Sequence, residues 1–189
     1  MDATLIVNCR IVNEGELFEG DLLIEKGRIA AVGKDLAHRR ARQVVDGAGG
    51  YLLPGMIDDH VHFREPGMTH KGDIHSESRA AVAGGITSTL EMPNTLPPVV
   101  DLAGWQAKRD IAARNSFTNH AFYIGAAAHN LDLVRELDPR WVCGVKLFMG
   151  ASTGTLCVED AAVLEAWFAR SPVLLAAHCE DNAIIAANQ

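Results

Sequence analysis

Along the first fifty residues, apolar positions come in short bursts rich in Ile, Leu and Val, broken by polar residues and glycine. Leu5 to Val12 is one burst. Asp21–Glu25 and Arg28–Val32 are two more, and they flank Lys26-Gly27, where glycine supplies the positive φ of a tight hairpin turn. Val44-Val45-Asp46 then runs into Gly47-Ala48-Gly49-Gly50. The pattern predicts a small β-structure over residues 1–50, the portion of a β-sandwich, with no helix longer than a turn or two. No polar cluster within it suggests chemistry.

From Tyr51 the rhythm changes to short apolar runs alternating with helical stretches, the sign of parallel β/α units. Strands are predicted at Tyr51–His60, Ile86–Glu91, Thr118–Gly125, Trp141–Phe148 and Val173–His178. Helices are predicted at Ile74–Ala83, Leu102–Asn115, Leu131–Leu137, Val158–Ala169 and from Asp181 onward. Pro54, Pro93, Pro97, Pro98, Pro139 and Pro172 sit at the edges of these units, where a missing N–H does least harm. Gly84-Gly85 follows a helix and reads as its C-cap. Residues 51–189 thus make five β/α units, either an open doubly wound sheet or part of a (β/α)8 TIM barrel. Neither GxGxxG after a strand nor GxxxxGK[ST] is present to favour the first. Both architectures gather their functional groups at the carboxyl ends of the strands.

Composition narrows the class. The 189 residues are 48% hydrophobic and 22% charged, as in an ordinary globular protein, and the formal net charge of −7 argues against a nucleic-acid partner. No apolar run reaches the roughly 18 residues of a membrane helix, and MDATLIVNCR lacks the basic-then-apolar order of a secretory signal. Cys9, Cys143, Cys157 and Cys179 show no CxxC pairing and no disulfide framework. A cytoplasmic chain with a small-molecule substrate and no membrane is expected.

The strand ends carry the candidate chemistry. His60 and His62 lie two apart at the end of the first barrel strand, so both imidazoles present to one side, as divalent metal ligands do. Asp58 or Asp59 either orients a ligand histidine or is a solvated turn carboxylate. Lys146 stands inside an apolar run, Val142–Phe148. Either it snorkels from an edge strand, or it is a buried neutral amine that reacts with CO₂ to give an anionic two-oxygen ligand; the residues alone do not choose. His178 ends the fifth strand. Three histidines and a lysine at the ends of three strands point together to a shared metal site.

The stretch His60-Val61-His62-Phe63-Arg64-Glu65-Pro66-Gly67 resembles the signature of dihydroorotases in the amidohydrolase superfamily. Ala83–Thr87, Glu91-Met92-Pro93-Asn94-Thr95, Gly144–Gly150 and Ala177–Glu180 extend the match, from about residue 3 to the end. The resemblance implies a (β/α)8 barrel of the metal-dependent hydrolase type behind a small N-terminal β-structure. It implies that His60 and His62 bind the more buried of two zinc ions, that carbamylated Lys146 bridges them, and that His178 binds the second. It also implies that Arg64 and Asn94 hold a substrate carboxylate, the alternative for Arg64 being a surface salt bridge with Glu65 or Asp73. The implied reaction is the reversible conversion of dihydroorotate and water to N-carbamoyl-aspartate, in pyrimidine biosynthesis.

Such a barrel has eight units and typically needs about 250 residues; about 140 follow Tyr51 here. The expectation is a barrel truncated after about five units, with the sixth-strand histidine and the general-base aspartate lying beyond residue 189. Such a chain alone would be inactive and poorly soluble, because its last strand edge and inner face are open. Rival readings are an allantoinase or hydantoinase, and a non-catalytic dihydroorotase-like scaffold subunit of aspartate transcarbamoylase; homo-oligomers are left open. His38, His70, His75, His120 and His129 are assigned surface or local hydrogen-bonding roles, Cys179 is read as a packing residue, and Ala151–Thr155, after the lysine strand, is a candidate site lining whose role is left open.

Overall fold

The computed structural model describes residues 2–150 and 156–188. The Ala151–Thr155 stretch expected at the site lies outside the described residues. The chain divides into two compact units, Met1–Gly55 and Met56–Gln189.

In the first unit, β1 (Ala3–Asn13), β2 (Glu16–Glu25), β3 (Arg28–Gly33), β4 (Gln43–Asp46) and β5 (Tyr51–Leu52) form one sheet. Its order is β3-β2-β1-β4, with β5 also on β1; β1 pairs antiparallel with β2 and parallel with β4 and β5. Ala3, Leu5 and Leu23 form its buried centre. The β2–β3 turn places both Lys26 (φ 52°) and Gly27 (φ 73°) in the left-handed region, the I′ geometry that matches strand twist. The sequence predicted only the glycine there. Lys26 takes up the strain because hairpin register requires it.

The second unit holds β6 (Met56–Val61), α1 (Ile74–Ala83), β7 (Ile86–Glu91), α2 (Leu102–Asn115), β8 (Asn119–Gly125), β9 (Gly144–Phe148), α3 (Ala161–Arg170), β10 (Leu175–His178) and α4 (Asn182–Ala187). Its strands are all parallel and lie in chain order, β6-β7-β8-β9-β10. A doubly wound sheet reverses its order at a switch point and a barrel wall does not, so this is the wall of a (β/α)8 barrel, truncated at its fifth strand. Every residue of β9 is buried, as befits a parallel strand covered on both faces. Ile124, Val145 and Leu147 meet Trp167 of α3 in the core, and the Trp167 indole donates to the Ala127 carbonyl at 3.3 Å.

Several predicted elements differ; β9 and β10 begin at Gly144 and Leu175, three and two residues later than expected. The strand expected over Tyr51–His60 is two: Tyr51–Leu52 pairs with β1, and only Met56–Val61 joins the barrel wall. Pro54, which has no N–H to give a ladder, lies between them. The helix expected over Leu131–Leu137 is a 3-10 segment, Leu131–Arg135. Asn130 is spent on Ala127, Val100 and Gly125 before it, and Pro139 restricts the chain after it, leaving too few residues to nucleate an α-helix. The helix expected from Val158 begins at Ala161, because the Val158 amide bonds the Phe148 carbonyl while Asp160 caps the helix through the amides of Ala162 and Val163.

Candidate functional site

The carboxyl ends of β6, β7, β9 and β10 carry the candidate residues. β6 delivers His60, and His62 follows it directly; their rings lie 5.3 Å apart, tilted by 56°. Burial pulls His60 below the ordinary imidazole value, and the positive charge of Lys146 and then that of His178 add to it, against Asp59 and Asp58. His62 is pulled to about 4, first by burial and then by the Arg64 and His60 charges and Lys146, while a hydrogen-bonding contact with the Asn94 side chain favours its charged form. Residues from four strand ends therefore act on one another across the mouth of the wall, and the surroundings of both imidazoles favour the neutral form.

Lys146 is 3% exposed, on a strand flanked by β8 and β10. Snorkelling from an edge is thus removed as an explanation. Burial lowers its pKa, with Cys179 opposing, and Nζ lies 5.2 Å from the centre of the Phe148 ring. His178 stands one pleat beyond Ala176, the register partner of Lys146, with Nε2 3.3 Å from Glu180 Oε2. Among the described residues no three His, Cys, Asp or Glu side chains stand close enough to hold a metal by themselves.

Arg64 has φ 69°, and its Nη1 is buried with no hydrogen-bond partner among the described residues. Its two suggested salt-bridge partners are engaged elsewhere. Glu65 accepts the Ile74 amide at 3.0 Å, and Asp73 caps α1 through the Ser76 amide at 2.7 Å. Asn94, 5% exposed, lies in the turn after β7. The loop carrying Arg64 packs on the loop carrying Asn94: the Leu96 amide donates to the Pro66 carbonyl at 3.2 Å, and a Cβ on Gly67 would run into the Leu96 carbonyl. Gly67, at φ 83°, is the residue that allows this approach.

Of the aspartates beside the histidines, Asp58 accepts the His60 backbone amide at 3.1 Å, and the Asp59 carbonyl accepts the Tyr123 hydroxyl at 3.2 Å. His38, His75 and His120 make local contacts with the Asp35 carbonyl, the Phe117 ring and the Phe122 ring. Cys179 is exposed, which corrects its reading as a packing residue; it follows the last residue of β10, where the wall ends.

Two residues given no role from sequence are Glu91 and Lys108, an ion pair at 3.2 Å with side chains 2% and 1% exposed. Burial pushes the Glu91 carboxyl up to about 7, against the attraction of Lys108, and burial lowers Lys108 against Glu91. The signal was available on α2: Lys108 shares the helix's buried stripe with Trp105 and Ala112, at spacings of three and four residues.

Residues 51–187 match the model of the Amidohydrolase family. Dihydroorotase of Methanosarcina acetivorans is 37% identical over 183 residues, covering 94% of this chain and 38% of its own length. Allantoinase of Escherichia coli is 40% identical over 147 residues, 77% of this chain and 32% of its own. Among solved structures, L-hydantoinase (dihydropyrimidinase) from Arthrobacter aurescens superposes with a TM-score of 0.92 at 29% identity, over 99% of this chain and 43% of that one. The chain thus spans about two fifths or less of the length of these relatives. With its parallel wall in barrel order and its HxH strand end inside the matched region, it belongs to the amidohydrolase family.

Proposed function

We propose that this chain is the metal- and substrate-binding N-terminal portion of a zinc-dependent dihydroorotase, which hydrolyses the cyclic amide of dihydroorotate reversibly to N-carbamoyl-aspartate in pyrimidine biosynthesis. The observation that carries the reading is Arg64: a guanidinium whose buried Nη1 has no partner among the described residues, in a loop packed on that of Asn94 and following His62 closely. A planar fork of donors left open in such a place suits a carboxylate, which dihydroorotate bears and a plain hydantoin ring lacks.

The donor set fits a metal. His60 and His62 are neutral imidazoles, and Lys146 is a buried amine shifted toward its neutral form. Reaction of that amine with CO₂ would form a carbamate and release a proton, giving an anionic ligand with two oxygen donors. In this reading His60, His62, carbamylated Lys146 and His178 would hold the zinc ions. Two such cations supply an acidified water and a polarised amide carbonyl. The chain's own residues bind and orient: Arg64 and Asn94 pin the carboxylate end of the ring, and the Phe148 ring packs beside Lys146 and His178, at 5.2 Å from Nζ and 6.1 Å between ring centres. The general base is assigned to an aspartate outside these 189 residues, so the chain alone is expected to bind without turnover.

The likeness to allantoinase and L-hydantoinase favours a second reading, a cyclic amidase for a ring without a carboxylate. Calorimetric titration of zinc-loaded chain decides between them. N-carbamoyl-aspartate is expected to bind at least tenfold more tightly than allantoin or hydantoin, with the preference lost in Arg64→Met. Equal affinities, or a preference that survives the substitution, would sink the dihydroorotase reading. Failure to take up zinc at all would favour the scaffold role.

A further inference from the structure

His62, Arg64 and Asn94 all stand just past the ends of regular strands, so the β-ladder does not hold them. The last rung between these ends is the Met92 amide on the Val61 carbonyl, at 3.0 Å. Beyond it the main chain from β6 finds its acceptor in a side chain. The Phe63 amide donates to Glu91 Oε1 at 3.1 Å, and the Arg64 amide also acts on that carboxylate. Successive amides turned toward one anion, with Arg64 in the left-handed region, form a backbone nest.

Lys108 completes the arrangement from α2. Its Nζ donates to the Met92 carbonyl at 3.0 Å, two residues ahead of Asn94, and lies 3.2 Å from Glu91 Oε2. This second contact joins opposite charges, and both the attraction of the ammonium and its hydrogen bonding favour the ionised carboxylate. One ammonium group therefore grips both the carboxylate beneath the 62–64 turn and the main chain that enters the Asn94 turn. Stability does not account for such a pair. Two charges taken out of water gain little over apolar side chains of the same volume, whereas the pair has direction that apolar packing lacks.

We propose that Glu91 and Lys108 are positioning residues: the carboxylate sets the backbone that aims His62 and Arg64, and the lysine locks that setting to the backbone leading to Asn94. The proposal rests on the reading of Arg64 and Asn94 as the carboxylate-binding residues.

The test uses the 189-residue chain and two double variants. Glu91→Leu/Lys108→Met removes charge and acceptor together. Glu91→Gln/Lys108→Met removes the charges and keeps an acceptor oxygen for the Phe63 amide. Hydrogen exchange, read by mass spectrometry on peptides spanning residues 62–66, is expected to speed up roughly tenfold in the Leu/Met variant, as for loss of a hydrogen bond to a charged acceptor. Peptides of β8 and β9 should be unchanged. The Gln/Met variant should recover most of the protection at 62–66. N-carbamoyl-aspartate binding should fall at least tenfold in the first variant and be largely restored in the second.

Wild-type exchange at 62–66 in the Leu/Met variant would overturn the proposal. So would loss of protection spread evenly over β8 and β9 with a lowered midpoint, which would make the pair ordinary core. If the wild-type chain bound no N-carbamoyl-aspartate, the dihydroorotase reading would fail while the exchange measurement still decided the role of the pair.

Discussion

Replacing Arg64 by methionine should move stability and binding in opposite directions. Methionine keeps an unbranched stem of similar reach, so the change isolates the guanidinium. Arg64 Nη1 is buried with no partner among the described residues, and Glu65 and Asp73 are both engaged in holding the start of α1. A buried polar group without a partner costs about 1–3 kcal/mol. The rest of the residue is only half-buried, so the low end of that range, about 1–1.5 kcal/mol, is the gain expected on removal. For a unit the size of Met56–Gln189 this corresponds to a rise in thermal midpoint of roughly 3–6 °C. Ligand binding should fall. Loss of charge-assisted hydrogen bonds worth about 1.5–3 kcal/mol weakens N-carbamoyl-aspartate by roughly 10- to 150-fold, with allantoin unaffected. Differential scanning calorimetry and isothermal titration on the same preparations give both numbers. A lowered midpoint would mean that Arg64 is held by structural partners, and the argument that it awaits a ligand would be wrong.

Other outcomes follow from the same geometry. Gly67→Ala places a Cβ against the Leu96 carbonyl at φ 83°, so chemical denaturation should show a loss of about 2 kcal/mol, with weakened carboxylate binding. Trp167→Ala empties a fully buried core position and should cost about 3–5 kcal/mol, whereas Trp167→Phe, losing chiefly the bond to Ala127, should cost about 1 kcal/mol or a little more in the same assay. Lys146→Met should leave the thermal midpoint of zinc-free chain unchanged or higher and reduce bound zinc, measured by atomic emission. The Glu91 carboxyl is raised from its ordinary 4.5 to about 7, so the folded state binds the extra proton between those values. Its contribution therefore makes stability fall as pH rises through that window, by up to about 1.4 kcal/mol per pH unit, and Glu91→Gln should flatten the slope in urea titrations at pH 5, 6 and 7. An unchanged slope would show that Glu91 does not titrate there.

Much of the barrel wall could be read directly from the chain. Helices α1 and α2 run over the residues their patterns predict, because Asp73 and Asp101 are local caps and the apolar spacing is local too. The strand ends bearing His60, His62, Lys146 and His178 were also legible, since a polar residue closing an apolar run is itself a sequence feature. The choice of a barrel over a doubly wound sheet was not legible in the apolar pattern and came only from the family resemblance, because strand order depends on pairing between segments distant in the chain. Nor was the division of Tyr51–His60, where two residues prefer β1 as a partner over their own neighbours.

Residue types and their spacing determined which side chains reach the strand ends and which chemistry they carry. Tertiary structure decided their state. Burial on a strand flanked on both sides turns Lys146 from a snorkelling cation into an amine shifted toward neutrality. Approach of two loops at Gly67 sets Arg64 beside the Asn94 turn. A carboxylate and an ammonium, seventeen positions apart in the chain and unremarkable in it, meet under the HxHxR turn and hold it. The physical reason is common to all three: desolvation and hydrogen-bond partnership belong to the surroundings of a group, and only the folded chain supplies those surroundings.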